Sequence, residues 1–284
     1  MLENKKNNWD LVITSHRGWF NLDILGLWKY RDLIRFFVRR DLVSIHKQTI
    51  LGPLYFVITP IIATLISTLI FGKIANLSTD GIPQFLFYMS GNLFWRYFST
   101  CLETGKSIFS ANTALFSQVY FPRLAVPISQ TISSFIKLII QLALFAVFYY
   151  YFANKGLDLK PTIHIVFIPL LLLQCSLLGI GTGILLSSFT VRYKDLNFLY
   201  TFIVSLWMYV SPVVYPLSSL PREWHYLISF NPMVGIIETA REVLFSTSSI
   251  EPVFIMNGLF STILLLLSGL ILFNQVEKTF LDSV

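Results

Sequence analysis

Long apolar runs separated by short polar connections fill the sequence from residue 54 onward. Six of these runs reach or approach the roughly 20 residues that a helix needs to cross a bilayer. They cover residues 54–71, 85–101, 132–152, 163–189, 198–215 and 253–273. A backbone in lipid must satisfy its own polar groups, and a helix does so. The pattern therefore predicts an all-α membrane protein with about six transmembrane helices.

The segment before the first run has a different periodicity. Residues 1–24 read as a polar leader on the cytoplasmic side. In residues 25–50, apolar and basic positions fall on opposite faces at 100° per residue, which is typical of an amphipathic helix lying in the membrane interface. Asp41 falls on the apolar face, so we expect the helix to bend or break near it. A plain solvated helix is the alternative interpretation.

Residues 217–250, between the fifth and sixth runs, are rich in aromatic side chains and hold two helix-start signals. Pro221 begins one predicted short helix, which runs through Ile228. Asn231 suits the N-cap of another, with Pro232 at its first position. Neither helix is long enough to cross a bilayer. We therefore predict two short re-entrant helices that dip part-way into the outer leaflet.

Charge is sparse and unevenly distributed. Charged residues make up 13% of the chain, whereas a soluble domain carries about a quarter. With a cytoplasmic N-terminus, the six runs place fourteen of the 21 basic residues inside and five outside, in line with the positive-inside rule. Both termini are therefore predicted to be cytoplasmic. The basic residues are spread over loop ends, which does not favour a nucleic-acid partner.

No constellation typical of catalysis or nucleotide binding occurs in the sequence. The phosphate-binding pattern G-x-x-x-x-G-K-[S/T] is absent, and no zinc, Ser-His-Asp or paired-carboxylate pattern stands out. Gly179 and Gly183 instead have the small-xxx-small spacing of tight helix packing in membranes. The sequence therefore predicts a chain that is not an enzyme and holds no metal and no cofactor of its own.

Charged residues within the predicted spans are costly, at about 2.5–3.5 kcal/mol each on insertion scales. The second span holds Arg96 and Glu103 on one face, with Lys106 one turn further. The third span holds Lys137, with Gln141 on the same face. Our hypothesis is that these charges face a polar interior and help to line or gate a path. The alternative is that they snorkel to the interface or pair there.

Aromatic residues make up 16% of the chain, and some must form interfacial belts. A path lined by aromatic rings would suit a sugar polymer, because ring faces pack on sugar C–H faces and polar ring edges bond sugar hydroxyls. We therefore predict a set of channel-lining residues in and near the spans. The candidates are Tyr55, Tyr88, Trp95, Arg96, Tyr97, Phe98, Lys137, Trp207 and Tyr209.

Several segments, taken together and in order, resemble one transporter family. They are residues 40–42 (RDL), 47–53 (KQTILGP), 119–129 (VYFPRLAVPIS), 191–196 (VRYKDL), 230–241 (FNPMVGIIETAR) and 277–282 (EKTFLD). Over nearly its whole length the chain resembles the membrane subunit of ABC-2-type exporters of polysaccharides and polyol phosphates. Residues 47–53 and 79–88 (TDGIPQFLFY) are most similar to Gram-negative O-antigen permeases. His46, Tyr55 and Leu281 depart from the residues usual in the family.

The resemblance implies a division of the chain. Residues 51–274 would form a six-helix transmembrane domain, and residues 275–284 a cytoplasmic tail. A coupling helix at about 111–124 would contact an ATPase, and external gate helices would lie at about 220–246. The interfacial helix at 25–50 would lie beside a lateral entrance for the substrate.

The same resemblance implies roles for individual residues. The lateral entrance would involve Trp28, Arg31, Arg35, Arg39, Arg40 and Lys47. Coupling to the ATPase would involve Phe116, Val119, Tyr120, Phe121, Pro122 and Arg123. The external gate would involve Trp224, Asn231, Pro232, Glu238 and Arg241.

The resemblance also implies partners and a location. The functional unit would be a homodimer of this chain with two copies of a nucleotide-binding ATPase subunit, which would bind ATP and magnesium. The substrate would be an undecaprenyl-linked polysaccharide, and the complex would lie in the lipids of a bacterial inner membrane. Export of capsule, teichoic acid, lipid or drug by the same fold is the alternative. A membrane-embedded glycan transferase is a further alternative, although it would need a carboxylate cluster at the interface.

Overall fold

Every regular element in the described part of the chain is a helix. The structure is a computed structural model, and its described part comprises residues 24–48, 52–112, 121–122, 124–156, 162–190, 195–246 and 251–283. The predicted all-α class is therefore confirmed for these residues.

Helix forms where the interfacial helix is predicted, as α1 (Ile24–Lys29) and α2 (Arg31–Gln48), joined by a turn at Tyr30. Its position in the membrane interface stays a prediction. A break near Asp41 is wrong, because α2 runs through this position without interruption, and a bend there stays a prediction. The Asp41 carboxylate accepts hydrogen bonds from Nε and Nη2 of Arg40, at 3.0 and 2.8 Å. This pairing offsets the acidic charge that the sequence pattern places on the apolar face.

The remaining helices follow in chain order, with short connections. They are α3 (Tyr55–Ser67) with a π-helical continuation (Thr68–Ile74), α4 (Gln84–Lys106), α5 (Ile108–Ala111), α6 (Ala125–Asn154), a 3-10 turn (Ile163–Phe167) leading into α7 (Ile168–Thr190), α8 (Leu196–Val210), α9 (Arg222–Ile228), α10 (Pro232–Phe245) and α11 (Pro252–Ser283).

Four helical segments in the described part are long and apolar enough to cross a membrane, so the chain is a multi-pass membrane protein. They are Tyr55–Ile74, Ala125–Asn154, Ile163–Thr190 and Pro252–Phe273. Helix α4 has 23 residues, but it carries Arg96, Glu103 and Lys106. Helix α8 is apolar and has only 15 residues. The count of six spans therefore stays a prediction.

Helix α4 runs through the interior of the helix assembly. It packs along α7 and also contacts α3 and α6, while α7 packs on its other side against α11. Glycines permit the close contact between α4 and α7: a Cβ on Gly179 would lie 2.7 Å from Cβ of Cys101, and one on Gly183 would lie 2.9 Å from Cα of Gly105. The predicted small-xxx-small packing is confirmed.

Two short helices, α9 and α10, lie between α8 and α11, close to the predicted bounds. The predicted N-cap is confirmed, because the side-chain oxygen of Asn231 accepts a hydrogen bond from the backbone N–H of Met233 at 3.1 Å. Pro232 occupies the first turn, where its missing N–H is tolerated. Insertion of these helices into the outer leaflet stays a prediction.

Candidate functional site

A buried arginine fixes the chain where α8 ends. After Val210 the backbone runs through turns at residues 211–216. Arg241 of α10 donates from Nη1 to the carbonyl oxygen of Pro212 at 2.6 Å and from Nη2 to that of Val213 at 3.0 Å. Its guanidinium lies 3.6 Å from the ring centroid of Phe87 on α4. One side chain, only 2% exposed, thus joins three parts of the chain.

The charge of Arg241 is balanced by an acid on its own helix. Glu238, one turn earlier, accepts a hydrogen bond from Nη1 at 2.9 Å. Gly91 leaves room for the guanidinium, because a Cβ there would lie 2.8 Å from Nη2 of Arg241. We call Arg241, Glu238, Phe87 and the carbonyls of Pro212 and Val213 the outer clamp.

A second contact joins the region of α4 to the segment that follows α8. The Ser218 hydroxyl lies 2.8 and 2.7 Å from the two carboxylate oxygens of Asp80. Asp80 precedes α4, and Ser218 follows the turns after α8. Unlike the outer clamp, this contact is exposed to solvent.

Four of the five predicted gate residues come together around α10. Asn231 caps the helix and also accepts a hydrogen bond from the Trp207 indole N–H at 3.0 Å. Pro232 follows it, and the other two residues belong to the outer clamp. Trp224, on α9, is 55% exposed and takes no part in this network. The role of this group as a gate stays a prediction.

The predicted channel-lining aromatics divide by burial. Trp207 of α8 packs edge-on against the core, its centroid 5.1 Å from that of Phe98. Tyr55 and Tyr209 present their rings at the surface, with 52% and 54% exposed. The remaining aromatics pack in the core within one chain, each at most 5% exposed: they are Tyr88, Trp95, Tyr97 and Phe98. The lining role of the set stays a prediction.

The two predicted intramembrane cations come together. Arg96 of α4 and Lys137 of α6 line one cavity of about 210 Å³. Tyr55 and Phe56, at the start of α3, form part of its wall, and the Gln141 carboxamide lies one turn beyond Lys137. Both cations are half-buried. We call this space the cation cavity.

A larger cavity of about 480 Å³, which the sequence analysis did not identify, lies between α4, α6 and α8. Its wall is rich in hydroxyl groups, contributed by Ser99, Thr100, Thr104, Thr201 and Ser205. The signal in the sequence is the four-residue spacing of hydroxyl residues on α4 and on α8, which places each pair on one helix face. We call this space the hydroxyl groove.

Lys106 lies near the hydroxyl groove and has two partners. Its Nζ is 3.8 Å from the ring centroid of Tyr200 and 3.3 Å from a carboxylate oxygen of Glu103. Glu103 and Tyr200 both line the groove. Lys106 therefore pairs with an acid, as the alternative interpretation expects, and the location of this pair at the membrane interface stays a prediction.

The described part of the predicted coupling segment is packed against the interfacial helix. Phe121 is 5% exposed, and its ring centroid lies 6.0 Å from that of Phe37 on α2. Pro122 is half-buried. The other predicted coupling residues, Phe116, Val119, Tyr120 and Arg123, lie outside the described residues. The coupling role stays a prediction.

Most of the predicted entrance residues have exposed side chains on α1 and α2. Trp28 is 71% exposed, and the guanidinium of Arg31 lies 5.9 Å from its ring centroid. Arg35 forms an exposed ion pair with Asp32 at 3.2 Å. Arg39 is also exposed, Arg40 binds Asp41, and the side chain of Lys47 lies outside the described residues. Their role at an entrance stays a prediction.

Metal-ligating side chains do not gather anywhere in the described residues, which contain no group of three or more His, Cys, Asp or Glu able to hold an ion. Cys101 and Cys175 are free and buried. The described residues thus contain two cavities with polar side chains in their walls and one buried ion pair.

Comparisons with known proteins agree with this arrangement. The family model for the ABC-2 type transporter matches residues 32–245. The O-antigen export system permease protein RfbA of Myxococcus xanthus is 25% identical over 262 residues, covering 91% of this chain and 97% of that protein. The RfbA permease of Klebsiella pneumoniae is 24% identical over 253 residues, covering 88% and 94%. The polysialic acid transport protein KpsM of Escherichia coli is 24% identical over 237 residues, covering 82% and 89%. The resemblance noted in the sequence is thus confirmed, and the chain belongs to the ABC-2 type transporter family.

Proposed function

We propose that this chain is the membrane subunit of an ABC transporter that exports a lipid-linked polysaccharide, driven by a separate ATPase. The observation that carries the proposal is its similarity over nearly the full length to permeases of O-antigen export and polysialic acid transport. These two cargoes differ in composition, but both are sugar polymers. Polysaccharide is therefore favoured over drug or simple lipid as the cargo.

The hydroxyl groove supports a sugar cargo on physical grounds. Thr201 and Ser205 donate their hydroxyl protons to carbonyl oxygens one turn earlier, at 3.3 and 2.8 Å. Their oxygens therefore remain able to accept hydrogen bonds from a ligand. A sugar polymer, with a hydroxyl on nearly every carbon, can exchange such bonds as it moves. An apolar drug could not form hydrogen bonds with these hydroxyl groups.

A separate energy source and a dimer complete the proposal. The sequence has no phosphate-binding loop, so ATP and magnesium would be bound by the partner ATPase. Two copies of each subunit would give the twofold symmetry that is commonest in assemblies of identical chains. The chain would lie in a bacterial inner membrane with both termini in the cytoplasm, where the basic residues of α2 would face anionic headgroups.

Deletion of the gene in its bacterium tests the cargo. We expect surface polysaccharide to disappear and lipid-linked polymer to accumulate in the inner membrane, measured by carbohydrate gel staining of surface and membrane fractions. A plasmid copy should restore export. Normal surface polysaccharide in the deletion strain, with sensitivity to drugs or altered lipid composition instead, would contradict a sugar cargo.

Affinity purification of the tagged chain tests the partner. We expect a second polypeptide with a phosphate-binding loop to co-purify and the complex to hydrolyse ATP, whereas the chain alone should not. Hydrolysis of ATP by the isolated chain would contradict the division of labour. The mass of the complex would report the predicted two copies of each subunit.

A further inference from the structure

Arg96 and Lys137 differ from Lys106 and Arg241, the other buried or half-buried lysine and arginine side chains in the described residues. Lys106 is paired with Glu103, and on α10 Arg241 is paired with Glu238. Within the described residues, the side chains of Arg96 and Lys137 form no ion pair and no hydrogen bond. The Nζ of Lys137 lies 6.0 Å from the ring centroid of Phe56. Two cations therefore line one cavity without a protein anion.

The acids near the cation cavity do not neutralise it. Among the described residues, no Asp or Glu lines the cavity. The charge of Asp41 on α2 acts on Lys137 from a distance, but its carboxylate is bound by Arg40 at 2.8 Å. Unpaired charges within a membrane protein are rare and mark sites that bind a counter-charge. An anion from outside the chain is thus the missing partner.

The uncharged groups of the cavity offer donors to such an anion. The Gln141 carboxamide and the Tyr55 hydroxyl make no hydrogen bond to other described residues, so their protons are available. The Thr100 and Ser134 hydroxyls donate to the carbonyl oxygens of Arg96 and Gln130, at 2.7 and 2.9 Å, so they are committed elsewhere. Arginine grips phosphate oxygens with two parallel N–H groups, and lysine adds a mobile point charge. This donor set suits a phosphate group.

The position and size of the cavity indicate where the phosphate comes from. Tyr55 and Phe56 belong to the first turn of α3, which begins one of the segments long and apolar enough to cross a membrane. The wall of the cavity therefore includes the start of a segment that can cross a membrane. A volume of about 210 Å³ is smaller than a site for a whole drug-sized ligand, which takes about 300–1,000 Å³. It suits a headgroup whose acyl or prenyl chain stays in the membrane.

We infer that the cation cavity binds the phosphate of a membrane lipid through Arg96 and Lys137, with Gln141 and Tyr55 as further donors. Two sources share this chemistry: an anionic phospholipid and the diphosphate of a lipid-linked cargo. The inference rests on the membrane setting of α4 and α6, and only its second source rests on the proposed function.

Native mass spectrometry of the full-length chain tests the site. The protein is purified in dodecyl maltoside, which carries no phosphate, and is mixed with equimolar phosphatidylglycerol, undecaprenyl diphosphate and neutral diacylglycerol. We expect wild type to retain the phosphate lipids and not diacylglycerol. The Arg96→Gln/Lys137→Gln variant should retain at least about fivefold less, which corresponds to about 1 kcal/mol.

Matched variants separate loss of charge from loss of fold. Lys155→Gln removes an exposed cation outside the apolar runs, which lies 4.6 Å from the Tyr151 ring centroid, and should behave as wild type. Arg96→Lys/Lys137→Arg keeps both charges and should retain lipid. Equal retention by wild type and the double glutamine variant, or loss of retention in the charge-preserving variant, would overturn the site.

The preference between the two phosphate lipids identifies the source of the phosphate. Preference for undecaprenyl diphosphate indicates the cargo carrier, and preference for phosphatidylglycerol indicates a bound phospholipid; either result supports the phosphate site. The measurement needs no transport and no ATPase. Its failure would therefore leave the export proposal intact, and failure of the gene-deletion experiment would leave the phosphate site intact.

Discussion

Arg241 and Arg96 are both withdrawn from solvent, but the chain surrounds them with different chemistry. Arg241 has a carboxylate, two backbone carbonyls and an aromatic ring within contact distance. Arg96 lines a cavity with a second cation, and the described residues contribute no acid to its wall. Both arginines are linked to α4: Phe87, which Arg241 contacts, and Arg96 itself belong to this helix.

The difference separates a structural charge from a ligand-binding charge. The bonds of Arg241 hold residues 211–216 against α4 and α10, so its function is completed within the chain. Arg96 has donors that nothing in the described chain accepts, so its function requires something else. Removing either charge from water costs free energy, and the groups that offset this cost differ between the two arginines.

The same substitution should reduce the free energy of unfolding much more at Arg241 than at Arg96. Arg241→Gln leaves Glu238 buried without its counter-ion, which typically costs about 3–5 kcal/mol. Arg96→Gln removes no internal partner and should change the free energy of unfolding by less than about 1 kcal/mol. Thermal unfolding midpoints in dodecyl maltoside measure the contrast. Equal shifts for the two variants would contradict it.

Variants of Glu238, the ion-pair partner of Arg241, are the controls for the outer clamp. The double variant Arg241→Gln/Glu238→Gln should recover part of the lost stability, because no uncompensated carboxylate remains. Glu238→Gln alone should cost less than Arg241→Gln, since the bonds to Pro212 and Val213 persist. A double variant less stable than either single one would argue that the carbonyl contacts dominate.

A second prediction concerns the scaffold on which both arginines depend. Gly183→Ala inserts a Cβ 2.9 Å from Cα of Gly105, which forces α4 away from α7. Overpacking of this kind costs about 1–3 kcal/mol, and the displacement of α4 should also weaken lipid retention at Arg96. The melting midpoint and the retained lipid, measured on one sample, check both effects.

Gly258→Ala is the matched control for this change. Its Cβ would meet the carbonyl oxygen of Pro232 at 3.3 Å, a much milder contact. The better helix propensity of alanine offsets part of that contact. We expect a change below about 1 kcal/mol. A loss as large as that of Gly183→Ala would mean that any helix glycine is sensitive, and that the α4–α7 contact is not special.

The sequence predicts the helices well because their signals are local. The Asn231 cap, Pro232 and the spacing of Gly179 and Gly183 each act within one or two turns, and the structure confirms them. The helix does not break at Asp41, where Arg40, the adjacent residue, pairs with the carboxylate. Hydropathy also cannot show that α4 is enclosed by other helices, since enclosure depends on packing between distant segments.

In the candidate sites, too, the features with a local signal can be predicted from the sequence, and the contacts between distant segments cannot. Arg96 and Lys137 can be identified from sequence because a charge inside an apolar run is conspicuous. Glu238 and Arg241 are one turn apart, so their pairing is also accessible. The carbonyls that Arg241 binds lie 28 and 29 residues away and carry no side-chain signal. The sharing of one cavity by Arg96 and Lys137 likewise depends on how α4 meets α6.

A third prediction loosens the outer region while leaving the clamp in place. Asn231→Ala removes the N-cap of α10 and the acceptor for the Trp207 indole. Loss of a cap costs about 1 kcal/mol, with a range of about 0.5–2. Asn231→Asp keeps the acceptor and should recover most of the loss in the melting midpoint. Lipid retention at Arg96 should be unchanged in both variants; a decrease would show that the two regions are coupled.

Lys106 is the intermediate case, and a double-mutant cycle gives the smallest predicted effect. Lys106→Met and Tyr200→Leu, alone and together, should show a coupling free energy of about 1 kcal/mol from the cation–π contact. Glu103 contacts both Lys106 and Tyr200, so the cycle measures their coupling with the Glu103 carboxylate present. The exposed pair Lys155 and Tyr151, at 4.6 Å, is the control and should couple by about 0.5 kcal/mol or less.

Salt distinguishes the two pairs further. At about 1 M salt the screening length falls to about 3 Å, which weakens exposed charge contacts much more than enclosed ones. Only 11% of the Lys106 side chain is exposed, so its coupling to Tyr200 should persist where that of Lys155 to Tyr151 disappears. If both couplings disappear at high salt, Lys106 is as accessible to solvent as Lys155. Burial would then no longer explain why Lys106 keeps its internal partners while Arg96 has none.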